Sequence, residues 1–244
     1  MSSAGDCRLG VLAFGDSITN GGGELQWGVA LQSWALWLAR GLGLDYTGLA
    51  QDGAMVSGVV HHQIPAHRRA LGDRAVRYRV GCLYIGVNDV RSVSWDGRAF
   101  ESGYRTALAY LAGCCDRVLA VTAPLDLGRP RAGAKVGELH QIVERVAADV
   151  GALVVDLSRF GARNLVMADH VHPTALGQIA IAERALTVAQ ADGMQVVVRP
   201  SQLISYETTW WRRLRGDATY AYRHLKVSLR SLGLVARARL AARL

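Results

Sequence analysis

Apolar positions along this chain follow two alternating patterns. Short apolar-rich runs at 9–14, 44–50, 80–85, 118–122 and 153–156 read as five strands buried on both faces. Between and after them, apolar residues recur at helical spacing. Trp27, Leu31, Trp34, Leu38 and Leu42 predict a helix over 26–42, with Gly41 and Gly43 marking its exit. Similar patterns predict helices over 100–112 and 136–150, and a last one over 174–191 behind Pro173. Strands alternating with helices imply an α/β class with a parallel sheet and helices on both faces. Such sheets bind ligands beyond the carboxyl ends of their strands.

The residues that can carry chemistry fall at those ends. Ser17 follows the first run, Gly53 the second and Asn88 the third; Asp169 and His172 precede the last helix. A serine hydroxyl becomes a nucleophile only beside a base, and the competing reading of Ser17 is an ordinary helix N-cap. Asp169-His170-Val171-His172-Pro173 offers an acid and two imidazoles. Either histidine can act as the base. His172 is favoured because Pro173 and a helix follow it directly. Asp169 would orient the ring and stabilise its charged form. In Gly86-Val87-Asn88-Asp89, the Asn88 amide can donate to a developing oxyanion. A Gly53 N–H can do the same where a side chain would crowd the substrate. Taken singly, Asn88 and Gly53 also read as turn residues.

Together these blocks resemble the SGNH hydrolase family, also called GDSL esterases or lipases. Gly15-Asp16-Ser17, followed by Ile18, matches the first block. Leu49-Ala50-Gln51-Asp52-Gly53 resembles the second, with Gly48 where many members carry Asn. Gly86-Val87-Asn88-Asp89 fits the third, and Asp169-His170-Val171-His172 with Pro173 fits the last. The resemblance spans about residues 9–190. It implies a three-layer α/β/α sandwich around a five-stranded parallel sheet of flavodoxin-like type. It also implies a Ser17–His172–Asp169 triad and an oxyanion hole of the Ser17 and Gly53 N–H groups with the Asn88 amide. No metal and no organic cofactor is expected. Family membership does not name a substrate: members cleave acyl esters of lipids, sugars and thiols, and some transfer acyl groups.

Charge divides the chain. Of its 244 residues, 1–194 carry 18 basic and 18 acidic side chains, whereas 195–244 carry ten basic ones against Glu207 and Asp217. The net charge of +8 therefore belongs to the C-terminal segment. This predicts a catalytic domain over 1–194 and a basic extension over 195–244. In the extension Tyr206, Trp210 and Trp211 lie beside Arg212 and Arg213. Tyr222, Leu225, Leu229, Leu232, Ala236 and Leu240 recur at helical spacing, and Arg223, Lys226, Arg230, Arg237 and Arg243 fall mostly off that stripe. Packing on the body or self-association through 200–244 is one reading. Peripheral contact with a membrane is another. Nucleic-acid binding has no recognition motif behind it. Gly233 weakens the case for a single unbroken helix.

Other signals narrow little. Cys7, Cys82, Cys114 and Cys115 show no metal-ligand spacing and read as reduced thiols. His61, His62 and His67, with Arg68 and Arg69, read as solvated loop or substrate-rim residues rather than a metal site. Asp126, Arg129 and Arg131 lie in a Gly- and Pro-containing stretch expected to be a surface loop near the pocket mouth. The N-terminus lacks signal-peptide features, and no apolar run is long enough to span a bilayer. The expectation is a cytoplasmic protein, peripheral to the inner face of the membrane if the extension binds lipid. The function expected is hydrolysis of a small-molecule acyl ester through an acyl-enzyme. The alternatives are an acyltransferase using the same intermediate, and a non-catalytic protein that binds a membrane or a partner.

Overall fold

Two nine-residue strands, β1 (Cys7–Gly15) and β3 (Val76–Tyr84), form the spine of the sheet in this computed structural model, which describes residues 7–26, 28–128, 132–162, 164–204 and 209–241. β2 (Tyr46–Gly48), β4 (Cys115–Val121) and β5 (Leu153–Val155) complete a five-stranded, all-parallel sheet of order β2-β1-β3-β4-β5. Helix α1 (Trp34–Leu42) packs with α7 (Ala175–Ala191) in one layer, and α5 (Gly97–Cys114) with α6 (Lys135–Val150) in the other. Both sheet faces are thereby covered. Val11, Leu12, Ala13 and Phe14 on β1 are fully buried, as are Val80, Cys82 and Leu83 on β3. That explains why these strands read as continuous apolar runs rather than alternating ones. The expected three-layer α/β/α architecture is the observed one.

Two elements differ from the sequence expectation. The helix predicted over 26–42 begins only at Trp34. Ser33 caps it: its Oγ accepts from the Ala35 N–H at 3.1 Å and donates to the Thr19 carbonyl at 2.6 Å. Upstream, Gly28 takes φ +80° and Gln26 bridges Val29 antiparallel, so the apolar spacing continues through a stretch of coil. Trp27 lies outside the described residues.

The second difference is a helical segment the periodicity misses: α2 (Val56–Gly58), a π turn over Val59–Gln63, and α3 (Ile64–Leu71). In the π turn the Ile64 N–H reaches back to the Val59 carbonyl. Pro65 follows and has no N–H to offer a preceding turn. His67 is consequently not a solvated loop residue. It is buried, with Nδ1 2.7 Å from the Tyr110 hydroxyl and Nε2 3.1 Å from that of Tyr78. Burial lowers its pKa and favours the neutral ring. His61 and His62 are exposed on the π turn.

The strand order reverses between β1 and β3, because β1 is followed by a neighbour on one side and β3 lies on the other. The crevice at the carboxyl ends of these two strands is the expected ligand position in such a sheet. Ser17 follows β1 directly. Asn88 lies on α4 (Val87–Arg91), the short helix behind β3.

Candidate active site

Ser17 sits in a series of tight turns and does not cap a helix. The Gly22 N–H donates to the Ser17 carbonyl at 2.6 Å, that of Asn20 to the Asp16 carbonyl at 2.9 Å, and that of Ile18 to the Asp16 carboxylate at 2.9 Å. Gly15 makes the approach possible. A Cβ there would lie 2.5 Å from both the Tyr84 carbonyl oxygen and the Thr19 hydroxyl. The N-cap reading of Ser17 therefore fails, because no helix follows it.

Three side chains then form a relay. Ser17 Oγ lies 3.0 Å from His172 Nε2, and His172 Nδ1 lies 2.7 Å from Asp169 Oδ2. The other Asp169 oxygen accepts from the Val171 and His172 N–H groups at 2.9 and 3.1 Å, which fixes the carboxylate against the ring it orients. His170 is turned elsewhere. Its φ of +55° swings it out of the relay, and its Nδ1 lies 3.0 Å from Asp126 Oδ2. Gly128 donates its N–H to the His170 carbonyl at 2.8 Å, so the loop after β4 braces the histidine loop. Arg129 and Arg131 of that loop lie outside the described residues.

The proposed oxyanion donors converge on the same end of the sheet. Gly53 has φ +73°, a conformation that favours glycine, and an added Cβ would meet no protein atom within 4 Å. Backbone geometry, not crowding by the protein, is what selects glycine here. The Asn88 Nδ2 donates to the Ala54 carbonyl at 3.0 Å, which leaves the amide's second N–H for another acceptor. Next to it, both oxygens of Asp89 accept from the Val56 N–H, at 3.1 and 3.2 Å. Asn88 and Asp89 together pin the Gly53 loop to α4.

Electrostatics suit the relay. The Asp169 hydrogen bond raises the His172 pKa above the ordinary imidazole value, outweighing burial. Burial pushes the Asp169 carboxyl up, but the His172 ring and two backbone N–H groups overcome this and hold it below its usual value. Beneath the nucleophile lies Asp16, fully buried, with Oδ2 lacking a partner among the described residues. Burial raises its pKa to about 7, against the opposing pull of the Ile18 N–H and of His172. Asp89, likewise buried, is pushed up to about 6.

A pH dependence follows. A general base must be neutral to take a proton, so activity should rise with pH through a midpoint above 6.5, the ordinary imidazole value. Asp169→Asn removes the group that raises the midpoint. The limb of kcat/KM against pH should move to lower pH while the plateau falls. A midpoint unmoved in the variant would mean that Asp169 does not tune the ring.

Two glutamines that no sequence motif marks hold the nucleophile turn. Gln63, on the π turn, accepts from the Gly15 N–H at 3.0 Å and donates to the Gly15 carbonyl at 2.7 Å. Gln178, on α7, accepts from the Trp34 N–H at 2.8 Å and donates to the carbonyls of Ile18 and Gly22 at 2.9 and 3.0 Å. Both are fully buried. For Gln178 a signal existed: it is a polar residue on the buried side of α7, one helical turn from Ala175 and Ala182. Gln63 gave none.

Comparison with known proteins places the chain in a family. The model of the GDSL-like Lipase/Acylhydrolase family matches residues 13–180, and the chain belongs to that family. It is accordingly a carboxylic ester hydrolase of the SGNH/GDSL type. A lipolytic protein of the G-D-S-L family from Veillonella parvula superposes with a TM-score of 0.58 at 21% identity, over 75% of this chain and 98% of that one. A variant of an acetyl xylan esterase from Geobacillus stearothermophilus gives 0.56 at 18% identity, over 78% and 97%. An alpha/beta hydrolase enzyme from the metagenome of Lake Arreo gives 0.56 at 19%, over 75% and 95%. At these identities the likeness is one of fold. A search of curated proteins gives no match.

Proposed function

We propose that this chain hydrolyses a small-molecule carboxylic ester through an acyl-enzyme on Ser17. The observation that carries the reading is the unbroken relay from Ser17 Oγ through both nitrogens of His172 to Asp169. Oγ attacks the ester carbonyl while His172 Nε2 takes the hydroxyl proton. The new O–C bond makes a tetrahedral intermediate whose negative oxygen is held by the Ser17 and Gly53 N–H groups and the Asn88 amide. Collapse breaks the bond to the alcohol, which leaves with the proton from His172. Water then repeats the sequence on the acyl-enzyme, with His172 as base, and releases the acid. Asp169 stays ionised throughout, which its lowered pKa supports.

Treating the folded protein with a fluorophosphonate tests this directly. Intact mass should show one covalent adduct, absent from Ser17→Ala. A folded wild-type protein that takes up no adduct, or a variant that still takes one up, would overturn the assignment of Ser17.

A further inference from the structure

Helix α8 (Trp210–Ala241), 32 residues long, carries an apolar face that is exposed among the described residues. Trp210 and Trp211 are 65% and 70% exposed, and Leu214, Tyr222, Leu225 and Leu229 are exposed as well. At about 100° per residue these six side chains fall within an arc of about 120°. Arg215 and Lys226, both exposed, lie just beyond one edge of that arc, and exposed Asp217 borders the other. A different side meets the body: Tyr220 and His224 are only partly exposed, His224 stacks on Tyr220, and its ring centroid lies 5.8 Å from that of His170. Arg223 pairs with Glu24, whose carbonyl accepts from the Ala175 N–H at the start of α7. The helix thus rests against the loop that carries His172, with its apolar stripe turned outward. The side chains of Leu232, Ala236, Leu240, Arg230 and Arg237 lie outside those described, as do those of Arg212, Arg213 and Arg243.

We infer that this stripe docks onto an anionic lipid surface, and that the ester is drawn from that surface. The second half rests on the hydrolase reading; the first does not. Charge selects the occupant. The segment 195–244 carries the chain's entire net charge of +8. A second copy laid on the stripe would bring two such segments together, whereas an anionic bilayer neutralises them. Nucleic acid would use the charge but leave the tryptophans and leucines in water. Paired tryptophans and leucines bordered along one edge by Arg215 and Lys226 suit the headgroup boundary of a bilayer. No helix among the described residues is long and apolar enough to cross a membrane, so α8 would lie in the surface plane. Its seam with His170 would then hold the Ser17 crevice beside the lipid.

Co-sedimentation of the full chain with sucrose-loaded vesicles tests the docking. Binding to phosphatidylcholine–phosphatidylglycerol vesicles should exceed binding to phosphatidylcholine alone by at least about tenfold and should weaken with salt. Leu225→Glu with Leu229→Glu, at two exposed positions, should lower it by about tenfold or more, whereas Ser17→Ala should bind as the wild type does. Equal binding to both vesicle types, no binding, or a lipid-free dimer abolished by the double substitution would each overturn the docking. The substrate half is read from wild-type turnover of a fluorogenic phospholipid ester in the same anionic vesicles, beside a water-soluble acyl ester. Cleavage of the lipid ester supports it. Cleavage of the soluble ester alone overturns it and leaves the hydrolase reading standing. Cleavage of neither, at intact vesicle binding, sinks the hydrolase reading and not the docking.

Discussion

His172→Ala should slow ester hydrolysis by about 10⁴–10⁶-fold in kcat, with KM changed far less. Without the imidazole, the Ser17 hydroxyl has no acceptor for its proton, and what remains is whatever the oxyanion donors and substrate binding provide. The fold should survive. The Asp169 carboxylate keeps the backbone N–H groups of residues 171 and 172, and the 172 carbonyl still accepts from Met167. His170→Ala is the matched control. That ring faces Asp126 and His224, so its removal should cost less than about tenfold in turnover, since it touches no reacting atom. Steady-state kinetics on one soluble ester, with circular dichroism to verify folding, decides between them. A large loss in His170→Ala and a small one in His172→Ala would exchange the two assignments.

Gln178→Met should destabilise the protein by about 3–5 kcal/mol. Methionine nearly keeps the length and volume of glutamine, so little cavity opens. What is lost is the acceptor for the Trp34 N–H and the donor to two carbonyls, Ile18 and Gly22. Each buried backbone group left unpaired costs about 1–3 kcal/mol. Against a total stability of about 5–15 kcal/mol this is a large fraction. Urea unfolding should show the midpoint falling at constant m. Turnover should fall too, because Gln178 ties the Ser17 turn to α7, the helix that begins directly behind His172. A change below about 0.5 kcal/mol would mean that these groups find other partners when the amide is gone.

Much of the architecture was legible because a parallel sheet covered on both faces leaves apolar runs in the sequence. Strand β1 overruns its apolar run at both ends, β3 and β4 begin four and three residues before theirs and stop one residue short, and β2 and β5 are shorter than theirs. Helix boundaries were less legible. The spacing of Trp27, Leu31, Trp34, Leu38 and Leu42 crosses Ser33 unbroken, yet Ser33 is where the helix starts. The segment 56–71 was illegible as a helix because Gly58, His61, His62 and Pro65 all argue against one locally; tertiary contacts to the end of β1 decide it instead. The relay was legible because short local motifs mark its members. Its supports were not: Gln63, Gln178 and the Asp89 bond to Val56 act across 33 or more residues of chain. An amide that caps distant backbone groups has no period and no neighbour to announce it. His67 shows the converse: among polar residues it looked solvated, while two tyrosines from other elements enclose it.

The sheet tapers toward its margins. Its central strands β1 and β3 run nine residues each, while the outermost, β2 and β5, run only three. A three-residue margin offers few backbone groups for a foreign strand to join. Sheet-to-sheet extension between molecules, the usual route from a folded α/β protein to fibrils, is therefore poorly templated here. A chain built this way can display tryptophans and leucines on an outer helix without also inviting strand addition.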